Sequence, residues 1–215
     1  MMTKARHYII PFGLFLLFTE LNQFFPSNFF LLYALKTIFV GGLLWIWRHK
    51  FRELYLSPRI KDLGWALVLG LIVCVVWIGG ENRLPRIGES EAFSPFAQSL
   101  STSAIWGTII FRLLGAVIVV PVMEELFWRS FLMRYLIRRD FYQVPLGTYT
   151  HFSFWTVVLL FALEHFRIIP AAFAGIVYGG LLCFTGNLWV PIFAHAVTNL
   201  ALGLYVLYTG SWGFW

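Results

Sequence analysis

The amino-acid sequence predicts an all-α fold, a polytopic transmembrane bundle of about seven to eight helices forming one integral membrane domain. Composition is the first reason. Of 215 residues, 60% are hydrophobic, 20% aromatic and 12% charged, and the mean hydropathy is +0.77. A soluble domain carries roughly 25% charged residues, so this chain could not cover its own surface in water. Segment length is the second: at about 20 residues per span, the apolar runs fill the whole chain. The third is backbone chemistry. Only helices and closed barrels satisfy their polar groups in hydrocarbon, and the alternation of barrel strands is absent.

The segments follow in order. Residues 8–25 come after a basic start, as a signal peptide would, but no small-residue cleavage site follows, and the run reads as an uncleaved first span. Residues 29–47 and 63–80 are the second and third spans. Residues 81–103 are the one substantial polar connector, carrying Glu81, Arg83, Arg86, Glu89 and Glu91. A long fourth segment covers 104–138, followed by 153–167, 169–185 and 188–208. The aromatic C-terminus, Ser211 to Trp215, suits a membrane interface. Cys74 and Cys183 lie in apolar runs without ligand spacing and read as small buried hydrophobes. The expected division is 1–103, N-terminal membrane helices with an external loop at 81–103, and 104–208, the core that carries the chemistry.

The net charge is +6. Its basic residues cluster between apolar runs: Lys4 and Arg6; Arg48, Lys50, Arg52, Arg59 and Lys61; Arg134, Arg138 and Arg139. That pattern marks cytoplasmic loops and anionic headgroups, not nucleic acid. An even number of crossings between clusters puts the N-terminus in the cytoplasm, and seven spans then leave the C-terminus outside. The expected location is a bacterial inner (plasma) membrane.

Ionisable side chains within a span are costly and point to function. Glu124 and Glu125 lie near the middle of the fourth segment, with Arg112 and Arg134 bracketing the spanning part. Glu124 is roughly 15 Å along the helix from Arg134. Glu125 and Arg129 are four apart and meet on one face. Glu124 points about 100° away and has no such partner on its helix. Pro121, one turn earlier, frees a backbone carbonyl. A second polar insertion is Phe161-Ala-Leu-Glu164-His165, and a third is His195-Ala-Val-Thr-Asn199, its ends on one helix face. His195 lies roughly 10 Å from the cytoplasmic end of its span, level with Glu124. His165 lies about 18 Å from the start of its own span, towards the outer half; a turn at Arg167–Pro170 that dips into the bundle would bring it level. Taken singly, each insertion also reads as a structural ion pair or a hydrogen bond between helices.

These three insertions resemble the CPBP family of membrane peptidases, which includes the CAAX-type prenyl-protein endopeptidases and abortive-infection proteins. Glu124 to Arg129 resembles its EExxxR motif, Phe161 to His165 its FxxxH, and His195 to Asn199 its HxxxN/D, over about residues 100–205. The resemblance implies an intramembrane endopeptidase in which Glu124 activates water with help from His165. His195 and Asn199 would polarise the scissile carbonyl and stabilise the oxyanion, and Glu125 and Arg129 would brace the helix face. Peptide hydrolysis independently needs such a base and such donors. The soluble-protease patterns HExxH and GxSxG are absent. No cofactor is expected; the second reading is zinc held by Glu124, His165 and His195. The expected partners are a membrane-associated protein or peptide substrate and the bilayer, with a link to a bacterial protein-sorting system among what the resemblance implies.

Two other classes remain. A non-catalytic scaffold or immunity protein of the same fold would tolerate loss of Glu124. A small transporter would use Glu20, Glu124 and Glu164 as a proton path, with Asn22 beside Glu20.

Overall fold

The computed structural model describes residues 2–25, 28–81, 83–85, 94–97 and 101–214. The expectations placed on Arg86, Glu89, Glu91, Trp215 and the Lys4 side chain lie outside the described residues. Seven helices and no strand occur among the rest. They are α1 (Met2–Phe24), α2 (Phe29–Trp47), α3 (Ile60–Gly79), α4 (Thr102–Ile137), α5 (His151–Leu163), α6 (Ile168–Thr185) and α7 (Trp189–Thr209). Each falls on one of the apolar runs. Large side chains such as Phe39, Trp65, Val75, Phe184 and Leu204 stand exposed on the outside of the bundle, as lipid requires.

Five helices, α2, α3, α4, α6 and α7, are long and apolar enough to cross a bilayer. The chain is an integral membrane protein. α5 has 13 residues and rises only about 20 Å against a hydrocarbon core of about 30 Å. α1 is long enough but carries Arg6 and Glu20 among its apolar residues. The seven helices agree with the expected bundle, and five of them meet the length and hydropathy of a full span.

The helices run alternately between two ends. At one end, Tyr8 donates to Glu53 at 2.9 Å, Arg134 reaches the same carboxylate oxygen at 3.5 Å, and Ser130 donates to it as well. Trp189 Nε1 donates to the Leu54 carbonyl at 2.9 Å and Asn187 Nδ2 to that of Leu56 at 3.1 Å. These bonds gather the start of α1, the 48–59 connector, the end of α4 and the start of α7. The three basic clusters thus share one end. Arg134 departs from its expected place as a loop charge: it is buried, and its ion pair with Glu53 satisfies it. At the opposite end Arg167 donates to Glu81 at 2.8 Å and to the Gly213 carbonyl at 2.9 Å.

α3 and α7 pack face to face through Gly70. A Cβ on Gly70 would lie 2.5 Å from the Ala194 carbonyl oxygen and 3.1 Å from Val197 Cβ. The close approach lets Thr198 Oγ1 donate to the Gly70 carbonyl at 2.8 Å, while Tyr178 OH on α6 donates to Thr198 Oγ1 at 2.8 Å. Three helices are tied by one hydroxyl one turn away from His195.

α4 is not uniform. It is π-helical over Gly115–Val119 and again over Leu126–Leu132, on either side of Val120–Glu125. In the first stretch the Val120 N–H bonds to the Gly115 carbonyl, five residues back. The next bond in that register would run from residue 121 to Ala116, but residue 121 is proline and has no N–H. The widened turn rotates the two glutamates that follow.

Candidate functional site

Glu125 is the centre of the polar core. Its side chain is fully buried, as is that of Arg129, whose NH1 donates to Glu125 Oε1 at 3.1 Å. The same oxygen lies 3.1 Å from His195 Nδ1. A carboxylate held by a guanidinium accepts, so Nδ1 carries the proton and Nε2 is left for another partner. The His195 ring stacks on Tyr178 with centroids 4.9 Å apart and planes 18° from parallel. The Arg129 guanidinium lies 4.3 Å from the Phe161 ring centroid and 5.6 Å from that of Tyr178. Two aromatic faces therefore cover the cation that braces Glu125.

Glu124 faces elsewhere on α4. It is buried, and its Oε2 has no hydrogen-bond partner. The charges in its reach belong to Glu164, Glu125, Arg129 and Lys36. The first carboxylate of the pair is thus a buried oxygen acceptor among two further acids and two bases.

His165 lies in a break between two helices. The sequence reading ran that segment to Arg167, but α5 stops at Leu163 and Glu164–Arg167 form a turn before α6. Pro170 belongs to the first turn of α6, where its missing N–H costs nothing. His165 Nδ1 sits 2.8 Å from the Phe161 carbonyl, and its ring meets Trp77 of α3 at 5.6 Å. It feels the charge of His195 and Arg129.

Asn199 solves a local problem. Its Nδ2 donates to the Ala116 carbonyl at 2.7 Å, the acceptor that Pro121 cannot serve. One amide hydrogen is thereby spent on the backbone of α4, and the second remains.

Of the four residues, Glu124 lies on α4, His195 and Asn199 reach α4 from α7 at Glu125 and Ala116, and His165 lies in the α5–α6 turn against Trp77. Among the described residues no group of three or more His, Cys, Asp or Glu side chains is placed to hold a metal ion. A groove of about 380 Å³ lies elsewhere, between α3 and α6, lined by Asp62, Trp65, Gly180 and Phe184.

With this geometry in view, comparison with known families is informative. The family model of the type II CAAX prenyl endopeptidases, described as Rce1-like, matches residues 105–201. That segment is similar to the type II CAAX prenyl endopeptidases. It takes in most of α4, all of α5 and α6, and α7 as far as two residues past Asn199. The family is one of membrane peptidases, so the chain carries the segment of a CAAX-type intramembrane protease. α1, α2 and α3 lie outside the match. No curated protein and no solved structure matches the chain.

Three buried polar groups escaped the sequence reading. Tyr178, which stacks on His195, gave no signal in an apolar run. Glu53, the buried acid at the basic end, sits in a segment that reads as a solvated loop. Lys36 is 7% exposed within α2, and its own charge in an apolar run was the signal that could have found it.

Proposed function

We propose that the chain is an endopeptidase that hydrolyses a peptide bond of a membrane-associated protein or peptide, with Glu124 as the base for water. The observation that carries this is the contrast between Glu125, whose Oε1 is held by Arg129 and His195 although its Oε2 is unbonded, and its neighbour Glu124, a buried carboxylate with an unpartnered Oε2 and no such brace. Two adjacent acids have been given different tasks: one is braced, the other is free to take a proton.

In this reading a water bound at Glu124 gives up a proton to the carboxylate as its oxygen attacks the carbonyl carbon. His165 orients that water. Negative charge then builds on the carbonyl oxygen and needs preorganised donors. Asn199 offers its second amide hydrogen. His195, held at Nδ1 by Glu125, donates from Nε2 after taking a proton there from solvent water, and Glu125 is the counter-charge of that imidazolium. Collapse breaks the C–N bond, and the proton on Glu124 passes to the leaving nitrogen. Arg129 keeps Glu125 in place throughout. No metal takes part in these steps.

Glu124→Gln removes the proton acceptor and keeps the side-chain shape. Cleavage in membranes should fall by at least about 10³-fold, the order that general bases contribute, while the protein accumulates normally. Cleavage by the wild type should survive strong chelation. If the variant retains the function of the wild type, the chain is a scaffold or immunity protein of the same fold; if chelation stops cleavage, the chemistry is metal-dependent.

A further inference from the structure

We propose that Glu53, in the connector between α2 and α3 and outside the matched segment, is a positioning residue of the candidate site: with the adjoining Leu54 carbonyl it bridges α4 to α7 and holds Glu125 against His195. The bridge stands on its own contacts, and only its kinetic consequence rests on the peptidase reading.

The connector turns two side chains inward. Phe51 and Glu53 are buried, while Arg52 and Tyr55 are exposed. The Phe51 ring meets Tyr8 edge-on at 5.3 Å. A carboxylate buried in this way is costly without donors. Glu53 Oε1 has three: Tyr8 OH at 2.9 Å, Arg134 NH2 at 3.5 Å and Ser130 Oγ. Ser130 is the knot of the cluster. Its hydroxyl also accepts from Arg134 NH2 at 2.7 Å, and its carbonyl accepts from Arg134 Nε. Ser130 stands next to Arg129, whose NH1 holds Glu125. Glu53 therefore grips α4 one residue from the brace of Glu125.

The backbone of the same connector grips α7. Trp189 Nε1 donates to the Leu54 carbonyl at 2.9 Å, and Asn187 Nδ2 donates to that of Leu56 at 3.1 Å. Asn187 Oδ1 accepts from the Trp189 N–H at 2.9 Å. The residue that hooks the connector is thus also bonded to the first turn of the helix that carries His195.

These bonds close a ring. Ser130 lies about 7 Å along α4 from Glu125, and Trp189 about 9 Å along α7 from His195. One rung between the two helices is the 3.1 Å contact of Glu125 with His195. The other is the connector. α7 packs on α4 over Gly115–Glu125, and towards the basic end the connector carries the join. Two rungs fix the spacing of the helices where one would let them splay. The bond at Nδ1 is also what leaves Nε2 of His195 for another partner. A shift of about 1 Å at a reacting group can cost about a hundredfold in rate.

Histidine-selective isotope labelling of the full-length protein in detergent, read by nitrogen NMR, tests the bridge without any substrate. The His195 signals are identified by their loss in His195→Gln. Neutral His195 should carry its proton on Nδ1 in the wild type, and Glu53→Ala should release it to a mixture of both tautomers. If Glu53→Ala does not accumulate, Ser130→Ala and Trp189→Phe, which each remove one end of the bridge, should do the same. Ser130→Thr keeps the hydroxyl and should not. An unchanged tautomer in the variants that lose an end, or a mixture already in the wild type, would overturn the proposal. Thermal unfolding checks that both ends act through one connector. Ser130→Ala and Trp189→Phe should each lower the midpoint by about 2–6 °C, and the double variant should fall short of their sum by at least about 2 °C. Simple addition would also overturn it. On any substrate the wild type cleaves, Trp189→Phe should lower kcat about ten-fold with KM unchanged. A change confined to KM, or none, would count as failure of the bridge. Absence of cleavage by the wild type would instead count against the peptidase reading and leave the tautomer and the stability cycle to decide.

Discussion

Asn199 shows how a residue can be read correctly as to place and incompletely as to work. Its spacing from His195 marked it as sharing a helix face with that histidine, and α7 does carry both. What the sequence could not reveal was the carbonyl waiting across the bundle, because an i→i+5 bond interrupted by proline is invisible in residue order. The structure gives Asn199 a backbone duty at Ala116. Removing a donor from a buried carbonyl costs about 1–3 kcal/mol, so Asn199→Ala should destabilise the protein by that amount in thermal unfolding. Pro121→Ala returns an N–H to α4 in the register that Ala116 needs. In a Pro121→Ala background the Asn199→Ala penalty should therefore shrink to less than half. An equal penalty in both backgrounds would separate Asn199 from Pro121 and leave it only its proposed part in binding the oxyanion. Glu125 makes a related point. The Arg129 partnership follows from helical spacing, whereas the bond from His195 crosses seventy positions of chain and no local rule reaches it.

At the scale of elements, apolar runs named the seven helices because a bilayer leaves few other ways to bury a backbone. Their ends were harder to place. α5 was expected to run on to Arg167, but Glu164, His165 and Arg167 fall where the chain turns. The π-helical stretches of α4 had no signature beyond Pro121, which announced a freed carbonyl without saying which one. Helix contacts are legible only where a small residue forces them, and Gly70 is such a place. A methyl group there would sit 2.5 Å from a backbone oxygen of α7, and backbone cannot step aside as a side-chain tip can. Gly70→Ala must push α3 and α7 apart, breaking the Thr198 bond to the Gly70 carbonyl and shifting His195 on the same helix. Overpacking of this kind costs about 1–3 kcal/mol. Thermal unfolding should show that loss, and activity should fall further than the stability loss accounts for. Gly64→Ala, on the same helix with nothing within 4 Å of a new Cβ, is the control and should change neither.

For the whole molecule, the sorting of charge between the ends was written in the loops. The basic clusters were far apart in sequence, and the fold brings all three to one end through Glu53 and its neighbours. The inward-pointing part of that pattern, Arg134 against Glu53, could not be separated from the outward-pointing part by counting charges. The solvated clusters at Arg48–Arg52 and Arg138–Arg139 determine orientation, because cytoplasmic loops keep the excess of lysine and arginine. On that argument the end that carries Lys50 faces the cytoplasm, and the end that carries Gly213 and the Arg167–Glu81 pair faces out. Single cysteines at the two ends decide it. In a background where Cys74 and Cys183 are replaced by alanine, Lys50→Cys and Ser211→Cys are exposed to a membrane-impermeant maleimide on intact spheroplasts. Ser211→Cys should label at once, and Lys50→Cys only after the membrane is permeabilised. The reverse pattern would invert the protein and move its basic end, with the shorter path from there to Glu124, to the outer face. Labelling of both in intact spheroplasts would mean that one helix fails to cross. α5, at 13 residues, and α1, with Arg6 and Glu20, are the two whose length or composition makes that outcome physical.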